Sequence, residues 1–193
     1  MGGPTEPVAG APAAAGAPSA VGPTVALPEP CLVVLVGAAG SGKSTLAARL
    51  FAADQILSSD ALRGVVSGDP ADQTATLAAF AMLHRELDRR LADGLTTVVD
   101  ATNVTSFARR SLVRRAERHG VRAAALVLDL EPTLVLARNA TRAGRIVPAA
   151  AVLRQLEQLA RSLRRDELTT EGFTEVRILR DPAEVAELNV DWR

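Results

Sequence analysis

The chain has 193 residues, 48% of them hydrophobic, with 22 basic and 22 acidic side chains, two histidines and one cysteine. That size suits one domain with a sizeable core, one cysteine excludes an internal disulfide, and the few scattered thiol and imidazole groups exclude a zinc site. The balanced charge leaves a polyanionic partner open, because arginine is concentrated in two blocks, 109–122 and 138–165, that read equally as solvated helix faces.

The first 29 residues are rich in Ala, Pro and Gly and carry no lysine or arginine. Their prolines interrupt any signal-like apolar stretch, so residues 1–29 are expected to be a disordered tail and residues 30–193 the folded domain. Order is expected from Cys31, where CLVVLV between Pro30 and Gly37 predicts a buried strand. STLAARLFA then predicts a helix and QILSS a second strand. From about Asp72 to Asp93, the spacing of Leu77, Phe80, Leu83, Leu87 and Leu91 predicts one helical stripe, stopped by Gly94. TTVV is the third strand, SFARRSLVRRAERHG a helix and AAALVLD the fourth strand. Helices are expected from Pro132 to about Ala143 and from Pro148 to about Arg165. TEVRIL and PAEVAEL supply a fifth strand and a closing helix. Alternation of this kind predicts an α/β fold: a five-stranded parallel sheet flanked by helices, with ligands bound beyond the carboxyl ends of the strands. No apolar run is long enough to span a membrane, and a cytoplasmic protein is expected.

GAAGSGKS, from Gly37 to Ser44, fits the pattern G-x-x-x-x-G-K-[ST] between a strand and a helix. This is the phosphate loop of P-loop NTPases. Glycines let backbone N–H groups approach phosphate oxygens, and the following helix points its positive end at the same anions. Gly37, Gly40, Ser41, Gly42, Lys43, Ser44 and Thr45 are therefore expected to bind ATP, with Ser44 holding Mg²⁺. Lys43 is the only lysine in a chain with 21 arginines. A compact ammonium suits the tight loop where a planar guanidinium does not.

Two further stretches bear on where the phosphate goes. In SSDALRG, Asp60 can take a proton from an attacking hydroxyl and Arg63 can hold a phosphate, although Asp60 serves equally as a helix cap. In RNATRAGR, Arg138, Arg142 and Arg145 share one helical face, either a solvated one or a clamp for a triphosphate under a helical lid. Asp100 and Asp129 end two other strands, and capping before Pro132 accounts for Asp129.

GAAGSGKST, SSDALRG, DPADQTAT, TVVDATN and RNATRAGR, in this order and spacing, resemble the kinase module of the bacterial polynucleotide kinase–phosphatase, from about Cys31 to Leu188. The resemblance implies transfer of the γ-phosphate of ATP to a 5′-hydroxyl end of RNA or DNA. It implies Asp60 as general base, Arg63 on the first acceptor phosphodiester with Gln73 assisting, and Asp100 near the acceptor. It implies Lys43 and Ser44 on ATP and Mg²⁺, with Arg138 and Arg142, extended by Arg145, as lid arginines. The family enzyme continues into phosphatase and ligase modules, for which nothing follows NVDWR here, so a kinase without them is expected.

Two alternatives stay open: a P-loop kinase of a small hydroxyl metabolite such as a sugar, nucleoside or antibiotic, and a non-catalytic switch operated by ATP. With four Phe, one Trp and no Tyr, and no aromatic inside either basic block, recognition of only the terminal one or two nucleotides is expected.

Overall fold

A computed structural model of the chain describes residues 22–68, 76–142 and 146–193. In chain order the strands are β1 (Thr24–Leu27), β2 (Cys31–Val36), β3 (Ile56–Ser58), β4 (Thr97–Asp100), β5 (Arg122–Leu128), β6 (Glu175–Leu179) and β7 (Asn189–Trp192). The helices are α1 (Lys43–Leu50), α2 (Ser59–Ser67), α3 (Thr76–Ala92), α4 (Ser106–Arg118), α5 (Pro132–Ala140), α6 (Ala149–Arg164), α7 (Glu167–Thr170) and α8 (Pro182–Glu187).

Five strands form a parallel sheet in the order β3-β4-β2-β5-β6. β2 lies at its centre and is buried along its whole length, which is why it reads as an unbroken apolar run. Its side chains alternate between two cores. Leu32, Val34 and Val36 pack with Leu83, Leu87 and Leu91 of α3, Leu112 and Val113 of α4, and Leu159 of α6. Cys31, Val33 and Leu35 pack with Leu46 and Ala47 of α1 and with Val25, Leu27 and Leu188. From β2 the chain goes first to the edge strand β3 and back to β4, then to β5 and β6 on the other side. The order therefore reverses just beyond the carboxyl end of β2, where such sheets open a ligand crevice.

The five expected strands and the sheet class stand, but the boundary of the expected tail is corrected. β1 lies inside residues 1–29 and pairs in parallel with β7, an added two-stranded sheet. Val25 and Leu27 are buried there. TVAL is too short to stand out among Pro- and Gly-rich neighbours, and its partner lies at the far end of the sequence. Residues 1–21 lie outside the described residues. The predicted helix from Asp72 is described only from Thr76, and Leu77, expected on its buried stripe, is exposed in the first turn. α2 fills the segment after Asp60 that the sequence left open.

Candidate active site

The phosphate loop follows β2 directly and ends on α1. Gly42 occupies the N-cap with φ of 99°, a left-handed conformation that glycine adopts without steric cost. Gly40 has φ of 87°, and a Cβ there would stand 2.5 Å from the carbonyl oxygen of Val135 in α5. The loop is thus packed against the helix that carries Arg138. Ala38 and Ala39 of the loop pack in a small apolar cluster with Leu130, Val135, Val147 and Val152. The Ala39 N–H donates to Gln155 Oε1 of α6 at 2.9 Å. Gly37 N–H donates to the carbonyl of Thr102 at 3.0 Å, which ties the loop to the segment after β4.

Around this loop lies a cavity of about 900 Å³. Lys43, Ser44, Asp60, Arg63, Asp100, Arg138 and Arg142 all line it, although they come from α1, α2, β4, α5 and the segment after α5. Gly40, Gly42 and Thr45 line it as well, whereas Ser41 is fully buried beneath the loop. Gln73 and Arg145 lie outside the described residues. Asp129 takes no part in the cavity wall and forms an ion pair with Arg180 at 3.3 Å.

Lys43 is buried and curls onto its own loop, its Nζ donating to the Ala38 carbonyl at 2.8 Å and to Ser41 Oγ at 3.5 Å. Burial brings its pKa down to about 8, with Asp100 and Asp60 pulling it up and Arg142 pushing it down. Ser44 Oγ donates to Asp100 Oδ2 at 2.7 Å. Asp100 therefore stands beside the serine of the phosphate loop.

The donor set suits a cation that keeps most of its ligands from elsewhere. Among the described residues no group of three or more His, Cys, Asp or Glu side chains could form a metal cage. A hydroxyl with one adjacent carboxylate is what Mg²⁺ uses when nucleotide phosphates and water complete its shell.

Asp60 occupies the first turn of α2, whose N-cap is Ser58 rather than Asp60. The capping alternative is thereby corrected: the Ser58 hydroxyl already accepts from the Ala61 N–H, and the Asp60 carboxylate faces arginines. Arg63 Nη1 donates to Asp60 Oδ1 at 2.6 Å, and Arg142 Nη2 lies 3.7 Å from Oδ2. Arg63 is 5% exposed, so its charge sits in the floor of the site rather than on the surface. Phe80 of α3 and Val185 and Ala186 of α8 also line the cavity and give it apolar surface.

Several positions escaped the sequence. Gln155 is one polar residue on an amphipathic helix, 116 positions from its partner. Phe80 fits a helical stripe and gives no sign that its edge reaches a cavity. Arg109 is one arginine in a basic block, yet it is fully buried and makes a bidentate pair with Glu171 at 2.6 and 2.8 Å. Its Nη1 also donates to the carbonyls of Asn103 at 3.2 Å and Val104 at 2.9 Å. Asn103 in turn takes a positive φ of 47° and donates to the Leu35 carbonyl of β2 at 2.8 Å. The segment holding Thr102 against the phosphate loop is thereby fixed from α4 and from the central strand.

The sequence pattern of a family described as the AAA domain matches residues 32–165. Among solved structures, a chain of the Pnkp1/Rnl/Hen1 RNA repair complex is similar with a TM-score of 0.61 at 22% identity, over 70% of this chain and 46% of that one. A sugar kinase from Janibacter sp. HTCC2649 gives 0.56 at 23% identity, over 82% and 90% of the two chains. A gluconokinase from Sinorhizobium meliloti 1021 gives 0.51 at 21%, over 83% and 88%. The chain thus spans about half the length of the repair-complex chain and most of the length of the two sugar kinases. At these identities the likeness is one of fold. A comparison with curated proteins finds no match. No described helix is long and apolar enough to cross a membrane.

Proposed function

The chain belongs to the AAA domain family and has the fold of P-loop kinases, and from that premise we propose that it transfers the γ-phosphate of ATP to the 5′-hydroxyl end of a polynucleotide. The observation that carries this is the Asp60–Arg63 pair, 2.6 Å apart, which lines the same cavity as Lys43 and Ser44. A base for an attacking hydroxyl needs a carboxylate at the acceptor. A hydroxyl that neighbours a phosphodiester calls for an arginine beside that base, and a free sugar does not.

In this proposal the phosphate loop and Lys43 hold the β- and γ-phosphates, and Arg138 and Arg142 neutralise charge on the transferred group. Ser44 and Asp100 would hold Mg²⁺, which would supply further charge neutralisation at the phosphates. Arg63 orients the first acceptor phosphate by a guanidinium fork. Asp60 accepts the proton of the 5′-hydroxyl as its oxygen bonds to phosphorus and the bond to the ADP oxygen breaks. The protein's work is positioning and charge neutralisation rather than covalent chemistry.

A second reading, a small-metabolite kinase, is favoured by one observation: the chain spans 90% and 88% of the two similar sugar kinases. One acceptor panel separates the two. With Mg²⁺ and γ-labelled ATP, a 3′-nucleotide and a 5′-hydroxyl oligonucleotide are expected to be labelled, and the bare nucleoside and gluconate are not. Equal labelling of nucleoside and 3′-nucleotide removes the role of Arg63 and with it the polynucleotide acceptor.

A further inference from the structure

α4 leaves the site rim immediately. Ala101 and Thr102 line the cavity, Thr105 caps the helix through its hydroxyl, and the helix runs from Ser106 to Arg118. Its inward face is Arg109, Leu112, Val113 and Ala116, all buried. Diametrically outward stand Phe107, Arg110, Arg114 and Arg118, within an arc of roughly 80° at about 100° per residue. Phe107 is 81% exposed and stands in the first turn, five residues after Thr102 of the cavity wall. Over about 16 Å the row then continues as three exposed arginines.

This row carries an electrostatic cost that ion pairs relieve at Arg118 alone among the described residues. Arg110, Arg114 and Arg118 are each four residues apart, a spacing at which like charges destabilise a helix. The first turn holds no acidic residue to complement the positive end of the helix dipole. Only Arg118 is compensated, by Asp88 at 3.3 Å. Among the described residues Arg110 and Arg114 make no ion pair. Next to them Ser111, Arg114, Arg115, Glu117 and Arg118 line an open depression, in which one acid faces three arginines.

An exposed aromatic at the head of a cationic row, starting at the rim of the site, matches a single polynucleotide strand: bases have a π-face to stack and phosphates have charge to pair. Resting on the polynucleotide acceptor proposed above, we propose that the outward face of α4 is a track for the acceptor strand beyond its terminal nucleotide, with Phe107 stacking a base and Arg110 and Arg114 contacting phosphates. This reverses the expectation of recognition limited to one or two nucleotides. Phe107 lies two residues before the basic block and enters its line only through the helical turn.

The test compares two 5′-hydroxyl acceptors, a dinucleotide with a 3′-phosphate and an oligonucleotide of about 12 nucleotides, within the site sizes of single-strand binders. Phe107→Ala is expected to raise KM for the long acceptor about five- to tenfold, with KM for the dinucleotide and for ATP unchanged and with rescue by Phe107→Tyr. Arg110→Gln with Arg114→Gln is expected to make the salt dependence of long-strand binding shallower by a slope of about 1.4. Equal effects on both acceptors, or none on either, overturn the track. Fluorescence anisotropy of the labelled oligonucleotide reads the surface independently of turnover. If the wild-type protein labels no nucleic acid but binds this strand in a Phe107-dependent manner, the kinase acceptor is wrong and the track stands. If it does not bind at low salt, or if poly-glutamate competes as well as the oligonucleotide, the track is wrong.

Discussion

Arg142 Nη2 stands 3.7 Å from Asp60 Oδ2, so the segment that follows α5 is tied to the first turn of α2 across the cavity. The other oxygen of the same carboxylate is held by Arg63 at 2.6 Å. Asp60 is thus oriented from both sides, and the arginine expected to meet the triphosphate begins beside the group expected to meet the acceptor. Asp60→Asn keeps the shape and removes both the charge and the base. Turnover is expected to fall by about 10²- to 10⁴-fold, while ATP binding measured by calorimetry persists. Retained turnover would mean that no acceptor proton passes through Asp60 and would leave its carboxylate a positioning role.

Arg142 separates charge from geometry. If it clamps the transferred phosphate, Arg142→Ala lowers kcat by on the order of 10³-fold. Arg142→Lys recovers only part of the loss, because an ammonium lacks the planar fork. A change confined to KM for ATP would instead make Arg142 a ground-state contact. Steady-state kinetics with saturating acceptor distinguishes these outcomes.

Lys43 gives a pH dependence whose sign can be fixed. Its folded pKa of about 8 lies below the ordinary 10.5, chiefly because the ammonium is buried. Between those values the unfolded chain holds more protons than the folded one, so this group's contribution to stability rises with pH from about 8 to 10.5. Below 8 both states are protonated and the cost of the buried charge is fully present. Cys31 acts in the opposite sense, since burial lifts its thiol from 9.0 to about 12. The measurement is therefore the difference in urea unfolding between wild type and Lys43→Met, which cancels Cys31. That difference is expected to grow in favour of the wild type across the window. ATP binding is expected to weaken as pH passes about 8, where the free protein loses the ammonium that the phosphates require.

The part of the site legible in the sequence is the part built locally. The phosphate loop, Asp60 with Arg63, and Arg138 with Arg142, which all line one cavity, each declare themselves as certain residue types at short fixed spacings. The five sheet strands declare themselves because burial on one or both faces forces apolar runs. What stayed hidden depends on long-range partners. β1 has only four residues, and its meaning appears once β7 pairs with it. Gln155 looks like any polar helix position until the Ala39 N–H is found 2.9 Å away. Arg109 and Phe107 come from one short stretch and differ by two positions, yet one is fully buried and the other 81% exposed. At about 100° per residue a two-residue step nearly reverses direction, and composition does not record which side faces the core.

Arg109 supports the last prediction. Its guanidinium is completely buried, and Glu171 opposes it with a side chain that is also 0% exposed. Ser162 Oγ accepts from Nη2 at 3.0 Å, and Glu167 lies 3.4 Å from the same nitrogen. One side chain thereby joins α4 to α6, α7 and the segment after β4. Arg109→Met leaves the Glu171 charge buried without its counter-ion, and breaking a buried pair in this way costs about 3–5 kcal/mol. Replacing both partners, Arg109→Met with Glu171→Leu, removes the stranded charge and is expected to recover much of that loss, as measured by urea unfolding. The carbonyls of Asn103 and Val104 lose their donor in both variants. The segment that holds Thr102 to Gly37 is then released from α4 even where stability returns. In the double variant KM for ATP is therefore expected to stay several-fold raised, about the effect of one lost hydrogen bond. Full recovery of both stability and KM would show that Arg109 serves the core alone and that Asn103 and Gly37 hold the phosphate loop without it.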